Sequence, residues 1–387
     1  MNRPLRVLQL NSMLSGGGTD EQTLRLAEGL VREKVKVGFV YPTGAALERR
    51  LIGTGADLFA LPRDRAGWLA GAVAVARRWR PDIVHAHHGR DYWPAVLIRV
   101  LGAPRGRLVL SRHLAKSPGA WTSRRWLLGA CDALVAVSEA VASILKNGLA
   151  QPESRVRERH WRPPMRGDFR KIRVIPCGVD TERFRERDAS SLRAEWGLKP
   201  GNFAFGVVGA YDFPVGKGQV EFLQAAARVA KEVSEARFLV VGRGTMREKL
   251  QDDIRALGLE GRAWLTAYVE EMPEAMSALD ALVHPALGTE AFGLVVAEAM
   301  LCGRPVIASE LDGIPEVFRA GGLGRLVPPE SVTALAEAMR EVAQQGAPDA
   351  ATKAAARAGI EKAFGMEHLA ARHAALYEEL VGGGGGS

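Results

Sequence analysis

Two glutamates eight residues apart, Glu290 and Glu298, bracket the run Ala291-Phe292-Gly293-Leu294-Val295-Val296-Ala297. The first precedes a helix-forming stretch and the second falls inside it. Positions eight apart lie near one face of a helix, so both carboxylates are expected on the same side. The amides of Phe292, Gly293 and Leu294 open that helix, and with the helix dipole behind them they can hold a diphosphate. Glu298, one turn deeper, is then placed to accept hydrogen bonds from a ribose diol, while Glu290 faces a sugar. Standing alone, the pair also reads as a first-turn acidic residue and an exposed helix charge. A second ligand-like segment is Ser15-Gly16-Gly17-Gly18-Thr19. Bare backbone at Gly17 and Gly18, with oriented amides at a helix start, allows close approach of a phosphate or sugar oxygen. A tight turn with a helix cap would use the same residues, and the Gly-x-Gly-x-x-Gly dinucleotide pattern is missing. Histidines cluster in His85-Ala86-His87-His88-Gly89-Arg90-Asp91 and in Ser111-Arg112-His113. No neighbouring cysteine or carboxylate pattern completes a ligand set, so no metal is expected there.

These segments need a scaffold that brings loop after loop to one rim. Short apolar runs alternate with helical periodicity along the whole chain. Arg6–Leu10 reads as a strand, and Glu21–Val31 carries Leu24, Leu26, Ala27, Leu30 and Val31 on one helical stripe. Further strands are expected at Val35–Tyr41, Ile83–Ala86, Leu108–Ser111, Leu134–Val137 and Ile172–Ile175. A second series runs through Phe203–Val208, Phe238–Val241, Ala263–Thr266, Ala281–His284, Val306–Ala308 and Leu326–Val327. Such alternation predicts two α/β domains, each a parallel sheet covered by helices on both faces. Ligands of doubly wound sheets bind beyond the carboxyl ends of the strands, where the motifs above fall. The boundary is expected near Pro176–Phe184, with a linker helix around Leu192–Trp196.

A chain of 387 residues suits two cores better than one. Its 47% hydrophobic and 25% charged residues are ordinary globular usage, which excludes disordered, collagenous and disulfide-rich classes. Cys131, Cys177 and Cys302 lack paired spacing and read as core residues of a protein kept in a reducing cytoplasm. Neither a signal segment nor an apolar run of ~18 residues is present, so no membrane span is expected. Gly382–Ser387 reads as a linker remnant. The net charge of +8 conceals an imbalance: residues 1–180 carry 30 Lys and Arg against 15 Asp and Glu, and the remainder 22 against 29. That bias argues for an anionic acceptor, an anionic membrane surface or nucleic acid on the amino-terminal side. Nucleic acid is the weakest of the three, since no zinc-finger, helix-turn-helix or stacking-aromatic pattern accompanies the charge.

Taken together, the motifs resemble those of the family 4 glycosyltransferases of GT-B fold, and in particular bacterial cell-envelope and lipopolysaccharide members. The glutamate pair is followed by Gly303-Arg304-Pro305-Val306-Ile307-Ala308 and Asp312-Gly313-Ile314-Pro315-Glu316-Val317; Val174-Ile175-Pro176-Cys177-Gly178-Val179-Asp180 and Ala136-Val137-Ser138-Glu139 also resemble family segments. The resemblance implies two Rossmann-like domains facing across a cleft. Residues 1–180 would form the acceptor domain and 181–365 the nucleotide-sugar donor domain, with helix 366–381 packing back on the first and 382–387 a tag scar. It implies a retaining, metal-independent hexosyltransferase that uses a nucleotide diphosphate sugar, expected to be a UDP-sugar from family habit, and an acceptor hydroxyl on a cell-envelope glycan or glycolipid. No cofactor is implied beyond the donor itself, and the absence of an Asp-x-Asp segment fits that. The implied catalytic residues are Glu290, Lys217 and His113. Gly17, Gly18, Arg243, Phe292, Gly293, Leu294 and Glu298 are implied donor contacts, and His87, Arg90 and Asp91 acceptor contacts.

The family usually places an arginine where Ala210 stands, so Lys217 of Gly216-Lys217-Gly218 is left to grip the diphosphate with help from Arg243 or a residue of the other domain. Residues Gln151–Arg170 form a longer, more basic connection than the family pattern, expected to be a solvated loop or an acceptor or membrane contact. Location would be cytoplasmic, peripheral on the inner face of the membrane. The alternatives are a sugar-nucleotide epimerase or phosphorylase on the same fold, or a silent sugar-binding protein, which would be expected to lose Glu290, Glu298 and Lys217.

Overall fold

The computed structural model describes residues 3–149, 162–213, 216–267 and 269–383. The chain forms two compact units: one takes in the amino-terminal part up to Gly178 together with everything from Phe364, and the other runs Val179–Ala363.

The first unit is built on a seven-stranded parallel sheet in the order β3-β2-β1-β4-β5-β6-β7. Its strands are β1 Arg6–Leu10, β2 Lys36–Pro42, β3 Asp57–Leu61, β4 Ile83–Ala86, β5 Arg107–Arg112, β6 Ala133–Ala136 and β7 Ile172–Val174. Helices α1 Gly18–Arg32, α2 Glu48–Ile52, α3 Arg65–Trp79, α4 Tyr92–Gly102, α5 Trp121–Ala130 and α6 Glu139–Asn147 connect them. Every residue of β4 and β6 is buried, as continuous apolar runs covered on both faces must be. Turn chemistry starts the helices: Asp64 accepts from the Gly67 amide at 2.7 Å ahead of α3, and Ser138 from Val141 at 3.1 Å ahead of α6. The first strand pairs β4 with Leu10 opposite Ala86, and β4 pairs β5 with Ala86 opposite Leu110. Asn11, His87 and Ser111 therefore come level at one rim. Sheet order reverses between β1 and β4, the switch point where doubly wound sheets open a crevice.

The second unit repeats the plan in six strands, ordered β10-β9-β8-β11-β12-β13. These are β8 Phe203–Val208, β9 Ala236–Val241, β10 Ala263–Leu265, β11 Ala281–His284, β12 Val306–Ser309 and β13 Gly324–Val327. Its helices are α7 Ser190–Glu195, α8 Gln219–Val229, α9 Arg247–Ala256, α10 Met272–Ala278, α11 Leu294–Leu301, α12 Ile314–Gly321, α13 Val332–Gln345 and α14 Ala350–Phe364. Phe205, Phe222 and Phe238 pack at the centre of its core, fully buried. The switch point here lies between β8 and β11.

The last helix, α15 Met366–Gly382, packs on α1 of the first unit. Its Leu369, Leu376 and Tyr377 join Leu24, Leu30 and Phe39 in one apolar core. A side chain at Gly29 would run into Ala370, so the two helices meet closely. The strand Asp57–Leu61 is the element the sequence pattern passes over: it is a half-exposed edge strand that opens on a charge. Arg155, Arg157 and Arg159 of the basic connection lie outside the described residues.

Candidate functional site

In the second unit the loops after β8, β9 and β11 converge. Gly218, which caps α8 in the left-handed region at φ 88°, faces the Pro285 carbonyl so closely that a Cβ has no room. The loop is braced by Gln219, wholly buried, whose Oε1 accepts from the Lys217 amide at 2.7 Å and whose Nε2 donates to the Ala210 carbonyl at 3.3 Å. Lys217 is thereby aimed at Glu290: Nζ lies 2.9 Å from Oε2, and His284 Nε2, from the end of β11, lies 3.4 Å from the same oxygen. The Glu290 amide donates to Asp312 Oδ2 at 3.0 Å, and a side chain at Gly313 would collide with the Ala291 and Phe292 backbone. Burial by itself would push the Glu290 carboxyl up, but Lys217 and His284 beside it hold it well below the usual carboxylate range. A largely buried anion, a half-exposed lysine and a histidine thus share one point ahead of a helix start.

That helix does not continue from Glu290. Gly293 sits in the left-handed region (φ 93°, ψ 51°) as the cap of α11, so the shared-face expectation for Glu290 and Glu298 does not hold. The 288–293 loop sets Glu290, and α11 sets Glu298 on its second turn. Phe292 is buried, while Gly293 and Leu294 present amides at the helix start that have no intrahelical acceptor. Arg243 is exposed after β9, and its carbonyl accepts from the Tyr211 amide at 3.2 Å, one residue from Ala210.

In the first unit the glycine run is held by two side chains. Asn11 Oδ1 accepts from the Met13 and Leu14 amides at 3.0 and 2.8 Å. Asp20, in the first turn of α1, accepts from the Ser15 and Gly16 amides at 2.9 Å, from Asn11 Nδ2 at 2.8 Å, and pairs with His88 Nε2 at 2.8 Å. Burial alone would raise the Asp20 carboxyl; the hydrogen bonds from His88, Asn11 and Gly16 outweigh it and lower it. With Ser15 and Gly16 committed, the open backbone is that of Gly17 and Gly18. A Cβ at Gly17, φ 102°, would meet nothing within 4 Å. These residues border a cleft of about 260 Å³ with His87, His88, Arg112, His113 and Leu114.

The histidines separate by role. His85 is satisfied in the core, with Nδ1 2.7 Å from the Tyr377 hydroxyl and Nε2 2.7 Å from Ser111 Oγ. His87 is buried between it and His113, with ring centroids 4.1 and 5.8 Å away. His373 of α15 completes the row, 5.7 Å from His85, its Nδ1 donating to the Leu369 carbonyl. Burial, with neighbouring cations and rings, pulls half-buried His113 down to about 3, and burial takes His373 to about 4. The row is neutral at pH 7. Arg90 is exposed beside the cleft, whereas Asp91 is buried and both its oxygens accept from Ser12, one from the amide at 3.0 Å and one from the hydroxyl. In this structure Asp91 therefore ties the β1 loop to the β4 loop. The rings do not converge on a common centre, and among the described residues no group of three or more His, Cys, Asp or Glu is arranged to hold a metal ion.

Two family models together span most of the chain: Glycosyltransferase Family 4 matches residues 16–183, and Glycosyl transferases group 1 matches residues 202–345. The chain belongs to the family 4 glycosyltransferases. It is 29% identical to the 2-deoxystreptamine glucosyltransferase of Streptomyces kanamyceticus over 81% of this chain and 83% of that protein. It is also 29% identical to the D-inositol 3-phosphate glycosyltransferase of Segniliparus rotundus, over 84% of this chain and 72% of that one. Among solved structures it resembles Anabaena HepE in complex with UDP and glucose, with a TM-score of 0.78 and 22% identity over 97% of this chain and 100% of that one. At that identity the likeness establishes the GT-B fold. The glycosyltransferase thus carries its expected Lys217 and Glu290 in contact. What the motifs alone did not reveal were Gln219, His284 and Asp312, which hold that pair, and Asn11 and Asp20, which hold the glycine run. A polar residue ending an otherwise apolar strand, His284 in Ala-Leu-Val-His, was the available signal. The three cysteines are buried, and burial pushes the Cys131 and Cys302 thiols up to about 12.

Proposed function

We propose that this glycosyltransferase transfers a sugar from a UDP-sugar, with retention and without a metal, to a hydroxyl of a cell-envelope glycan or glycolipid. The observation that carries the donor half is the Lys217–Glu290–His284 cluster beneath the start of α11. The diphosphate would rest on the Gly293 and Leu294 amides with Lys217 and Arg243 as its cations, and Glu298 would take the ribose hydroxyls. Arg243, beside Ala210 through the Tyr211 amide, stands in for the absent arginine. Glu290 would orient the sugar. In the reaction the acceptor oxygen bonds to the anomeric carbon as the bond from that carbon to the diphosphate oxygen breaks. The departing diphosphate keeps the electron pair and takes the acceptor's proton on the same face. Preorganised amides and a lysine can stabilise that charge without a divalent ion. Uridine is favoured because the Anabaena protein of the same fold holds UDP and glucose. His87, His113 and Arg90 would face the acceptor.

Glu298→Ala is expected to raise the Kd for UDP roughly 10- to 100-fold, since hydrogen bonds to a charged group contribute about 1.5–3 kcal/mol. Titration calorimetry with UDP checks it; an unchanged Kd removes Glu298 from the site. Glu290→Gln should instead slow turnover and leave UDP affinity nearly intact.

Attachment to an anionic membrane surface is part of the same reading. No helix among the described residues is long and apolar enough to cross a membrane. Trp121 and Trp126 are 61% and 48% exposed and meet edge to face at 4.9 Å, with exposed Arg125 between them. Aromatic rings beside basic groups suit a lipid interface, where each cation contributes about 1 kcal/mol. The protein should pellet with anionic but not neutral vesicles, less so as salt rises, and Arg125→Glu with Trp126→Ser should release it. Arg124 is left out of the variant because its guanidinium closes the turn ahead of α5 on the Pro118 carbonyl at 3.0 Å. Equal recovery with both vesicle types would sink the membrane attachment.

A further inference from the structure

Residues two apart on extended backbone share a side, so His85 with His87, and Ser111 with His113, face the closing helix α15. His87 and His113 line two spaces at once. One is the cleft of about 260 Å³ bordered by the glycine run, and the other is a cavity of about 10 Å³ that Leu369 and His373 of α15 also line. Their rings thus stand between the cleft and the closing helix. Among the described residues, neither ring nitrogen of His87 is hydrogen-bonded, and His113 Nε2 is not either. His87 is placed by packing: it lies against His85 with ring centroids 4.1 Å apart, and His113 follows at 5.8 Å. A ring located by van der Waals contact alone turns when its neighbour turns.

His85, in contrast, is fixed at both nitrogens, by the Tyr377 hydroxyl at Nδ1 and by Ser111 Oγ at Nε2, each at 2.7 Å. The direction of those bonds follows from the proton count. Burial keeps the Tyr377 phenol protonated, and burial, with His373 and His113 nearby, keeps the His85 ring neutral at pH 7. Tyr377 is wholly buried and makes no other hydrogen bond among the described residues, and a buried hydroxyl left without an acceptor is costly. The phenol therefore donates to Nδ1. The imidazole proton is left on Nε2, which donates to Ser111 Oγ. Ser111 passes the constraint on, since its carbonyl accepts at 2.7 Å from the hydroxyl of Tyr92, another residue of the cleft.

We infer that Tyr377 is a positioning residue for the acceptor: by donating to His85 Nδ1 it holds the ring on which His87 stacks, and so sets the face that His87 and His113 turn to the acceptor. The inference rests on the glycosyltransferase reading of this cleft as the acceptor side. It gives a side chain 292 positions from His85 a part in acceptor binding without contact to the acceptor.

The test uses the full chain with isotope-labelled histidine rings, whose nitrogen signals in magnetic resonance report tautomer and surroundings. In the unaltered protein His85 should show a protonated Nε2 and a bare Nδ1; the opposite tautomer overturns the inference. Tyr377→Phe removes the hydroxyl and keeps the ring. Leu376→Ala, in the same apolar core, thins the packing of the same helix and leaves the hydroxyl in place. UDP release from UDP-glucose is followed with graded amounts of a detergent-dispersed envelope extract as acceptor, less the release without extract. In Tyr377→Phe the His87 and His113 signals should move and the apparent KM for the extract should rise about fivefold, the scale of one hydrogen bond, with UDP affinity within about twofold. Leu376→Ala should lose stability at an unchanged KM for the extract. Equal rises of that KM in both variants would reduce Tyr377 to a packing residue and overturn the inference. Ring signals that move in Tyr377→Phe while the extract draws no transfer even from the unaltered protein would refute the acceptor reading and not the linkage. Transfer to the extract with signals and KM unmoved would refute the linkage and not the reading.

Discussion

Replacing Lys217 with alanine is expected to lower kcat/KM with a UDP-sugar by at least 100-fold, while activity in excess chelator remains that of the untreated protein. Two losses combine in the variant. The first is the cation proposed to grip the leaving diphosphate, where about 1.4 kcal/mol of transition-state stabilisation corresponds to a factor of ten. The second is the partner of Glu290, whose side chain is only 15% exposed. Removing one member of a fully buried pair costs about 3–5 kcal/mol; Lys217 is 42% exposed, so solvent screens the pair and the structural share is smaller. Lys217→Met combined with Glu290→Gln separates the two, since it leaves no stranded charge: stability should recover and turnover should not. Recovery of turnover in the double variant would reduce Lys217 to a structural counter-ion. Complete loss of activity in chelator, restored by manganese, would overturn metal independence.

Acidification should destabilise the protein well above the range in which carboxylates titrate. His85, His87, His113 and His373 are held neutral in the folded state, the last two titrating only at about 3 and about 4. The unfolded chain takes up protons on these rings below about 6.5. Stability is therefore whole above that value and falls as pH drops from about 6.5 toward 4, by up to about 1.4 kcal/mol per pH unit for each ring. Even half of that from four rings is several kcal/mol by pH 5, a large share of the roughly 5–15 kcal/mol that holds a domain folded. Asp20 and Glu290, whose pKa values are lowered, add a further loss at still lower pH, since their contribution is present above the unfolded value and disappears as they protonate. Urea midpoints at pH 7.5, 6.5, 5.5 and 5.0 measure the slope. His373→Leu should flatten it, and a profile level down to pH 5 would contradict the burial of the row.

The sequence revealed the architecture wherever burial is two-sided. Runs such as Ala133–Ala136 and Val306–Ala308 are apolar throughout because both faces are covered, and alternation with helical stripes then implies a doubly wound sheet. Asp57–Leu61 escaped because an edge strand needs no such run. Lys217, Glu290 and the glycine loop were visible as motifs, but the residues that hold them were not. Asp312 acts on the Glu290 amide from 22 positions away, and His88 reaches Asp20 across 68. Local periodicity carries no trace of such pairs. The eightfold spacing of the glutamates misled for the converse reason: a left-handed Gly293 interrupts the helix that the arithmetic assumed.

The closing helix imposes an order on biosynthesis. Tyr377 reaches His85, Leu369 leaves no room for a side chain at Gly178, and Gln22 and Arg25 grip that glycine's backbone. Residues 366–382 leave the ribosome after residues 179–363. The unit whose synthesis begins first therefore cannot finish its core until that helix has emerged, whereas residues 179–363 are contiguous and can collapse before it does. Domains ordinarily mature in the order in which they are made; in this chain the usual sequence is inverted. A nascent polypeptide halted before Met366 would carry a finished second unit and an amino-terminal half whose α1 face still lacks its cover.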